Sequence, residues 1–215
     1  MKRAVICFTR VPKPGTAKTR LLPVLKPEQC AGLQWAFLKD LAECYKDLDI
    51  HLFIAHVPDP ELDQLKAIFP RAGYLPQKGK DLGEKMYRAI RKVLDLGYES
   101  VVLTGSDLPL MTKDHLESGF AALEENDIAL GPTSDGGYYL IGMKKACRDV
   151  FRVDGYGGSS VFENTIAAAK NAGLTVGCAL PCDDVDTPED LWNLAKAVSS
   201  GSHTAQYLKQ EGICV

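Results

Sequence analysis

The chain has 215 residues, 46% hydrophobic and 25% charged, an ordinary globular composition with enough apolar material for one domain, 1–215, with a full core. A formal net charge of -3 leaves no surplus of Lys and Arg for a nucleic-acid backbone, which excludes nucleic acid as the main partner while leaving room for a small phosphorylated ligand. No stretch approaches the ~20 apolar residues of a membrane span. The seven cysteines are odd in number and sit mostly in apolar runs, as reduced thiols do, so the expected location is cytoplasmic.

Ala4–Phe8 reads as a first buried strand. It runs into a loop, 9–21, with four cations, two prolines and a glycine. The prolines restrict the backbone and Gly15 permits close approach, so Arg10, Lys13, Lys18 and Arg20 can converge on a diphosphate. The loop is not a Walker A motif, because the first glycine of that pattern is missing. A solvated basic loop is the plain alternative. Pro27–Tyr45 has helical spacing, His51–Val57 reads as a strand, Pro60–Phe69 as a short helix and Gly73–Pro76 as a short strand. His51 and His56 fall on opposite strand faces, which argues against a shared metal. Gln77, Lys78 and Gly79, with Leu82 behind them, are candidates for the base or ribose, and Asp81 can cap the next helix. A plain strand–turn–helix accounts for the same residues.

Ser100–Leu110 is the centre of the chain. A β-branched run typical of a strand buried on both faces breaks at Gly105, and Asp107 follows just past its end. In an open α/β sheet, ligands sit outside the carboxyl ends of the strands, where an acidic side chain can hold a divalent cation on a phosphate. A helix from Thr112 to Leu123 follows, with His115 as a surface or capping residue. Asp127–Pro132 reads as a strand, and Asp135-Gly136-Gly137 as a hairpin turn leading to Tyr138. The stretch 152–158 is glycine-rich; Tyr156, Gly157, Gly158 and Ser159 can form an acceptor-side lid, with a simple loop as the better reading, and Ser159 or Ser160 caps a helix over Val161–Ala172. Leu174–Leu180 is a last strand. Thr187, Pro188 and Asp190 form a helix start, which leaves Asp186 over as a third candidate cation ligand. The tail, 200–215, reads as peripheral. Cys178 and Cys182 have no matching second pair for zinc.

Five motifs in order carry a resemblance: Lys13–Leu21, Asp81–Met86, Gly105–Pro109, Leu130–Leu140 and Asp184–Leu191. Across about 4–195 the chain resembles the bacterial DUF2064 family, whose members are taken to be GT-A-type glycosyltransferases, some linked to arsenosugar biosynthesis. The resemblance implies a three-layer α/β/α nucleotide-diphospho-sugar transferase fold, Rossmann-like, with a mixed, mostly parallel sheet. It also implies kinship with molybdenum-cofactor and 2-phospholactate guanylyltransferases. Phosphate binding then falls to Lys18 and Arg20, and metal binding, by Mg²⁺ or Mn²⁺, to Asp107 and Asp135. The sequence lacks a true Asp-x-Asp, because position 105 is Gly.

The expected function is therefore glycosyl transfer from a nucleotide-sugar to a small-molecule acceptor. Asp107 and Asp135 would be catalytic and Asp186 would help hold the cation, with Gly136, Gly137, Tyr138 and Ser159 on the acceptor side. Nucleotidyl transfer from a nucleoside triphosphate to a phosphorylated acceptor would use the same residues. A non-catalytic nucleotide-binding domain is a third alternative, disfavoured because unpaired charges converging on one crevice oppose folding without a ligand. The hairpin from Asp135 to Tyr139, Asp183 and Asp184 offer candidates for a general base that no motif fixes.

Overall fold

The computed structural model describes residues 2–46, 48–153 and 155–213; Asp154, in the 152–158 stretch, and the last two residues of the tail lie outside the described residues. Seven strands form one sheet: β1 (Arg3–Thr9), β2 (His51–His56), β3 (Gly73–Pro76), β4 (Ser100–Thr104), β5 (Ile128–Pro132), β6 (Tyr138–Met143) and β7 (Val176–Cys178). Their order across the sheet is β3-β2-β1-β4-β6-β5-β7. All pairs are parallel except those of β6, which runs antiparallel between β4 and β5. This is the expected mixed, mostly parallel α/β sheet.

The helices are α1 (Pro27–Lys46), α2 (Leu62–Ile68), α3 (Leu82–Leu94), α4 (Lys113–Glu125), α5 (Val161–Asn171), α6 (Pro188–Ala197) and α7 (His203–Gln210). The period of two in the central strands sorts their side chains into two cores. Val5, Cys7 and Val102 pack under α1, α2 and α4, through Leu38, Leu41, Leu65, Leu116 and Phe120. Ala4, Ile6, Val101 and Leu103 pack under α3 and α5, through Met86, Ile90, Val93 and Ala169. A third cluster joins α1 to α6 and α7 through Leu33, Phe37, Leu191, Leu194 and Leu208.

Local chemistry explains most boundaries. Asp81 caps α3 by accepting from Glu84 N at 2.7 Å, and Thr187 and Asp190 form a reciprocal capping box on α6. His115 closes the capping box of α4 with Thr112, in the structural role expected of it. The helix expected from Pro60 starts at Leu62, because Asp59 accepts from Glu61 N at 2.8 Å and holds 59–61 as a turn. Ser160 stands at the N-cap of α5 without a side-chain cap bond; its hydroxyl accepts from Asn164 Nδ2 instead. The last strand is shorter than Leu174–Leu180, because beyond Cys178 the chain leaves the sheet and Ser118 Oγ on α4 accepts from Leu180 N. The tail forms α7 against α1: Asp40 accepts from His203 N and Thr204 N, and Tyr207 Oη donates to Gln29 O.

Candidate active site

The carboxyl ends of β1 and β4 and the start of β6 open on a cleft of about 560 Å³. That volume is within the usual range for small-molecule sites. β1 leads to β2 on one side and neighbours β4 on the other, so the cleft sits where strand order reverses, the usual ligand crevice of an open α/β sheet.

Lys18 lies at the centre. Its side chain is 2% exposed, and Nζ stands 2.9 Å from Asp107 Oδ1 and 3.4 Å from Asp186 Oδ1. It also donates to Val185 O at 2.7 Å. An ammonium has three N–H donors, and these three acceptors match them. Lys18 also has φ 49°, the one positive φ outside glycine among the described residues. The loop before it turns through Thr16 N and Ala17 N, which both donate to Lys13 O.

Asp107 is brought here by the break after β4. Gln34, on the buried face of α1, donates through Nε2 to Ser106 O at 3.0 Å and is also 3.3 Å from Ser106 Oγ, which ties the Gly105–Asp107 turn to that helix. The Asp107 carboxylate stays 38% exposed and faces the cleft. Asp135 enters from the β5–β6 hairpin, where its Oδ1 accepts from Thr133 Oγ1 and from Gly137 N. Gly136 has φ +87°, and a Cβ there would lie 2.0 Å from Ser159 O. Only glycine suits both the turn and the close approach of the segment leading to α5.

A strap, 179–187, closes the acidic side. It is pinned by Tyr139 Oη donating to Leu180 O, by Asp183 accepting from Ser134 N, and by Val185 N donating to Asp107 O. His115 Nε2 stands 3.2 Å from Pro181 O. This pinning puts Asp184 in the cleft wall with Asp107 and Asp135. Burial pushes the Asp184 carboxyl up to about 6, and Asp186, Asp107 and Asp135 add to the rise against the pull of Lys18.

Of the expected site residues, Arg10, Lys18, Gln77, Leu82, Asp107, Asp135 and Tyr138 line the cleft, together with Tyr156 and Gly157. The others do not line it. Lys13 is drawn outward to Asp59 and Glu61, at 2.9 and 3.1 Å. Gly15 is the tip of the turn, with open space around it. Arg20 points to Asp186, 3.2 Å away, at the rim, and Asp186 is shared with Lys18. Gly79 lies behind the cleft against the first turn of α3. Gly136, Gly137 and Ser159 form the hairpin contact behind the wall. Asp186 was expected as a cation ligand. It accepts from Lys18 and Arg20 and does not line the cleft, whereas Asp184 does. Gln77 reaches the cleft, but its Nε2 is committed to Thr9 O and Ala55 O. Among the polar lining residues, Gln34 and Asp184 stand apart from the expected site set. Gln34 was detectable as a polar residue in a buried helical stripe. Asp184 was noticed only as a candidate base.

The model of the family described as "Uncharacterized protein conserved in bacteria (DUF2064)" matches residues 40–157, more than half of the chain. The chain belongs to DUF2064. This DUF2064 chain is 35% identical to a Desulfovibrio desulfuricans G20 protein, assigned as a nucleotide-diphospho-sugar transferase, whose crystal structure superposes with TM-score 0.91. That match covers 99% of this chain and 96% of the other. It is 27% identical to the 2-phospho-L-lactate guanylyltransferase of Methanocaldococcus jannaschii, over 94% of this chain and 86% of that protein. It is also 29% identical to the phosphoenolpyruvate guanylyltransferase of Sphaerobacter thermophilus, over 88% of this chain and 92% of that protein.

Proposed function

We propose that this chain is a divalent-metal-dependent nucleotidyltransferase. It joins the nucleoside monophosphate part of a triphosphate, GTP first among candidates, to a small phosphorylated acceptor and releases pyrophosphate. The observation that carries this is the meeting of Lys18, Asp107, Asp135 and Asp184 at one end of the sheet. The two guanylyltransferase relatives, aligned over 94% and 88% of the chain, support nucleotidyl over glycosyl transfer.

The residues fit a divalent cation. Asp107, Asp135 and Asp184 offer hard oxygen donors on one wall, and the Asp184 carboxyl is raised by burial first and then by Asp186, Asp107 and Asp135. Among the described residues no three His, Cys, Asp or Glu side chains form a ready metal cage, which suits Mg²⁺ sharing one or two carboxylates with substrate phosphates. Bound there, the cation would neutralise phosphate charge and orient the triphosphate for in-line displacement. Arg10, exposed at the end of β1, meets the phosphates from the β2 side. Thr133 Oγ1 and Gly137 N fix the direction of the Asp135 carboxylate before any ligand arrives, so little reorganisation is needed at reaction.

An acceptor phosphate oxygen attacks the α-phosphorus, the bond from that phosphorus to the bridging oxygen breaks, and pyrophosphate leaves. A phosphate monoester has a second pKa near 6, so about neutral pH the nucleophile is already largely dianionic. No side chain has to remove a proton. The acceptor lies toward Tyr138, Tyr156 and Gly157 on the hairpin side.

Glycosyl transfer is favoured by the assignment of the 35%-identical protein, and would use the same carboxylates. Thermal-shift screening with Mg²⁺ or Mn²⁺ separates the two. Nucleotidyl transfer predicts stabilisation by a triphosphate, and pyrophosphate release once 2-phospholactate or phosphoenolpyruvate is added. Stabilisation by a nucleotide-sugar alone, with no pyrophosphate from any triphosphate, refutes it.

A further inference from the structure

Lys18 is usually the kind of residue assigned to phosphate, yet its ammonium is buried and its three donors are spent on Asp107, Asp186 and Val185 O. Lys18 holds Oδ1 of Asp107, the carboxylate that faces the cleft, at 2.9 Å. Asp186 Oδ1 stands 3.4 Å from the same ammonium, Asp135 and Asp184 line the same cleft, and Arg20 pairs with Asp186. The Lys18 backbone is held in the left-handed region, at φ 49° and ψ 44°, which L residues with long side chains seldom adopt. The loop therefore bends to deliver this one ammonium among the carboxylates. The lysine stem is flexible, and its compact charge accepts a phosphate as readily as a carboxylate.

We propose that Lys18 is an internal counter-ion that competes with a free divalent cation for the carboxylates and is drawn off them by an incoming triphosphate. Lys18 is thus a positioning residue that couples metal binding to nucleotide binding. The identity of the polyanion rests on the nucleotidyl-transfer proposal; the competition at the carboxylates does not. By linkage, each ligand tightens the other by the same factor. Phosphates that share ligation of the metal also give cooperativity, so the decisive quantity is metal affinity with no nucleotide present.

The test is titration of the full chain with Mn²⁺ by calorimetry and spin resonance, with and without α,β-methylene GTP. Lys18→Met is expected to bind Mn²⁺ alone at least about tenfold tighter than wild type, because a positive charge a few ångströms from the site is gone. Its nucleotide-dependent tightening is expected to shrink correspondingly. A residue with a purely structural role would weaken metal binding when replaced. Unchanged or weaker Mn²⁺ binding by the variant overturns the proposal. Lys18→Gln, which keeps an N–H donor for Val185 O, is the second variant. If both variants fail to fold alone, Mn²⁺ is expected to restore a cooperative melt, and failure to restore it also overturns the proposal. Absence of any nucleotide binding by wild type sinks the nucleotidyl-transfer proposal instead, and is read separately in the same titrations.

Discussion

Replacing Asp184 by Asn gives the most demanding test of the acidic wall. In the folded chain the Asp184 carboxyl rises from 3.8 to about 6, through burial first and then through Asp186, Asp107 and Asp135. A carboxyl with a raised folded value favours the folded state when protonated. Its stabilising contribution is therefore largest below the unfolded value, 3.8, and is lost as pH rises to about 6. At pH 7.5 the charge is a net cost. A shift of about two units corresponds to roughly 3 kcal/mol, and partial exposure reduces that to about 1–2 kcal/mol. Asp184→Asn should thus raise Tm at pH 7.5, in EDTA, by about 2–6 °C for a chain of this size. The difference between variant and wild type should fall by more than half at pH 4, where other titrating groups cancel in the comparison. Differential scanning calorimetry at the two pH values measures it. A lower Tm at pH 7.5, or a gain equally large at pH 4, would show that a buried, repelled charge at Asp184 does not cost the fold stability at neutral pH.

Asp107→Asn should abolish the metal-dependent part of the thermal shift produced by a triphosphate; an unchanged shift would place the cation elsewhere. Arg10→Ala should weaken nucleotide binding about tenfold by calorimetry, whereas Lys13→Ala, already paired with Asp59 and Glu61, should leave it within about twofold. Equal effects of the two would mean that the loop rearranges around its ligand. Gly136→Ala should cost at least about 2 kcal/mol in urea unfolding, from its positive φ and the Cβ contact with Ser159 O. A loss below about 0.5 kcal/mol would contradict the described packing of hairpin on helix.

How far the sequence could be read depended on the range of the forces involved. Asp107 was legible because a strand buried on both faces, a glycine break and an acid are adjacent in the chain. Thr187 to Asp190 and Asp81 to Glu84 were legible because capping is a matter of three residues. Lys13 was misplaced because its partners, Asp59 and Glu61, belong to the turn after β2. The choice between Asp184 and Asp186 could not be made locally either. In the run from Asp183 to Asp186, orientation is set by Val185, whose N–H donates to Asp107 O and whose carbonyl accepts from Lys18. Those contacts exist only in the folded chain. Gln34 carried a usable signal, a polar side chain on a buried helical face, but what it held, the Ser106 turn, is named only by the fold.

The charged residues that line the cleft are Arg10, Lys18, Asp107, Asp135 and Asp184, so the pocket is assembled from stretches far apart in the sequence, and the strap that follows β7 completes its acidic wall. A nascent chain stopped before Val176 lacks the strap, and with it one wall and the carbonyl that Lys18 needs. The wall therefore exists only once the strap has docked on Ser134, Tyr139 and Asp107.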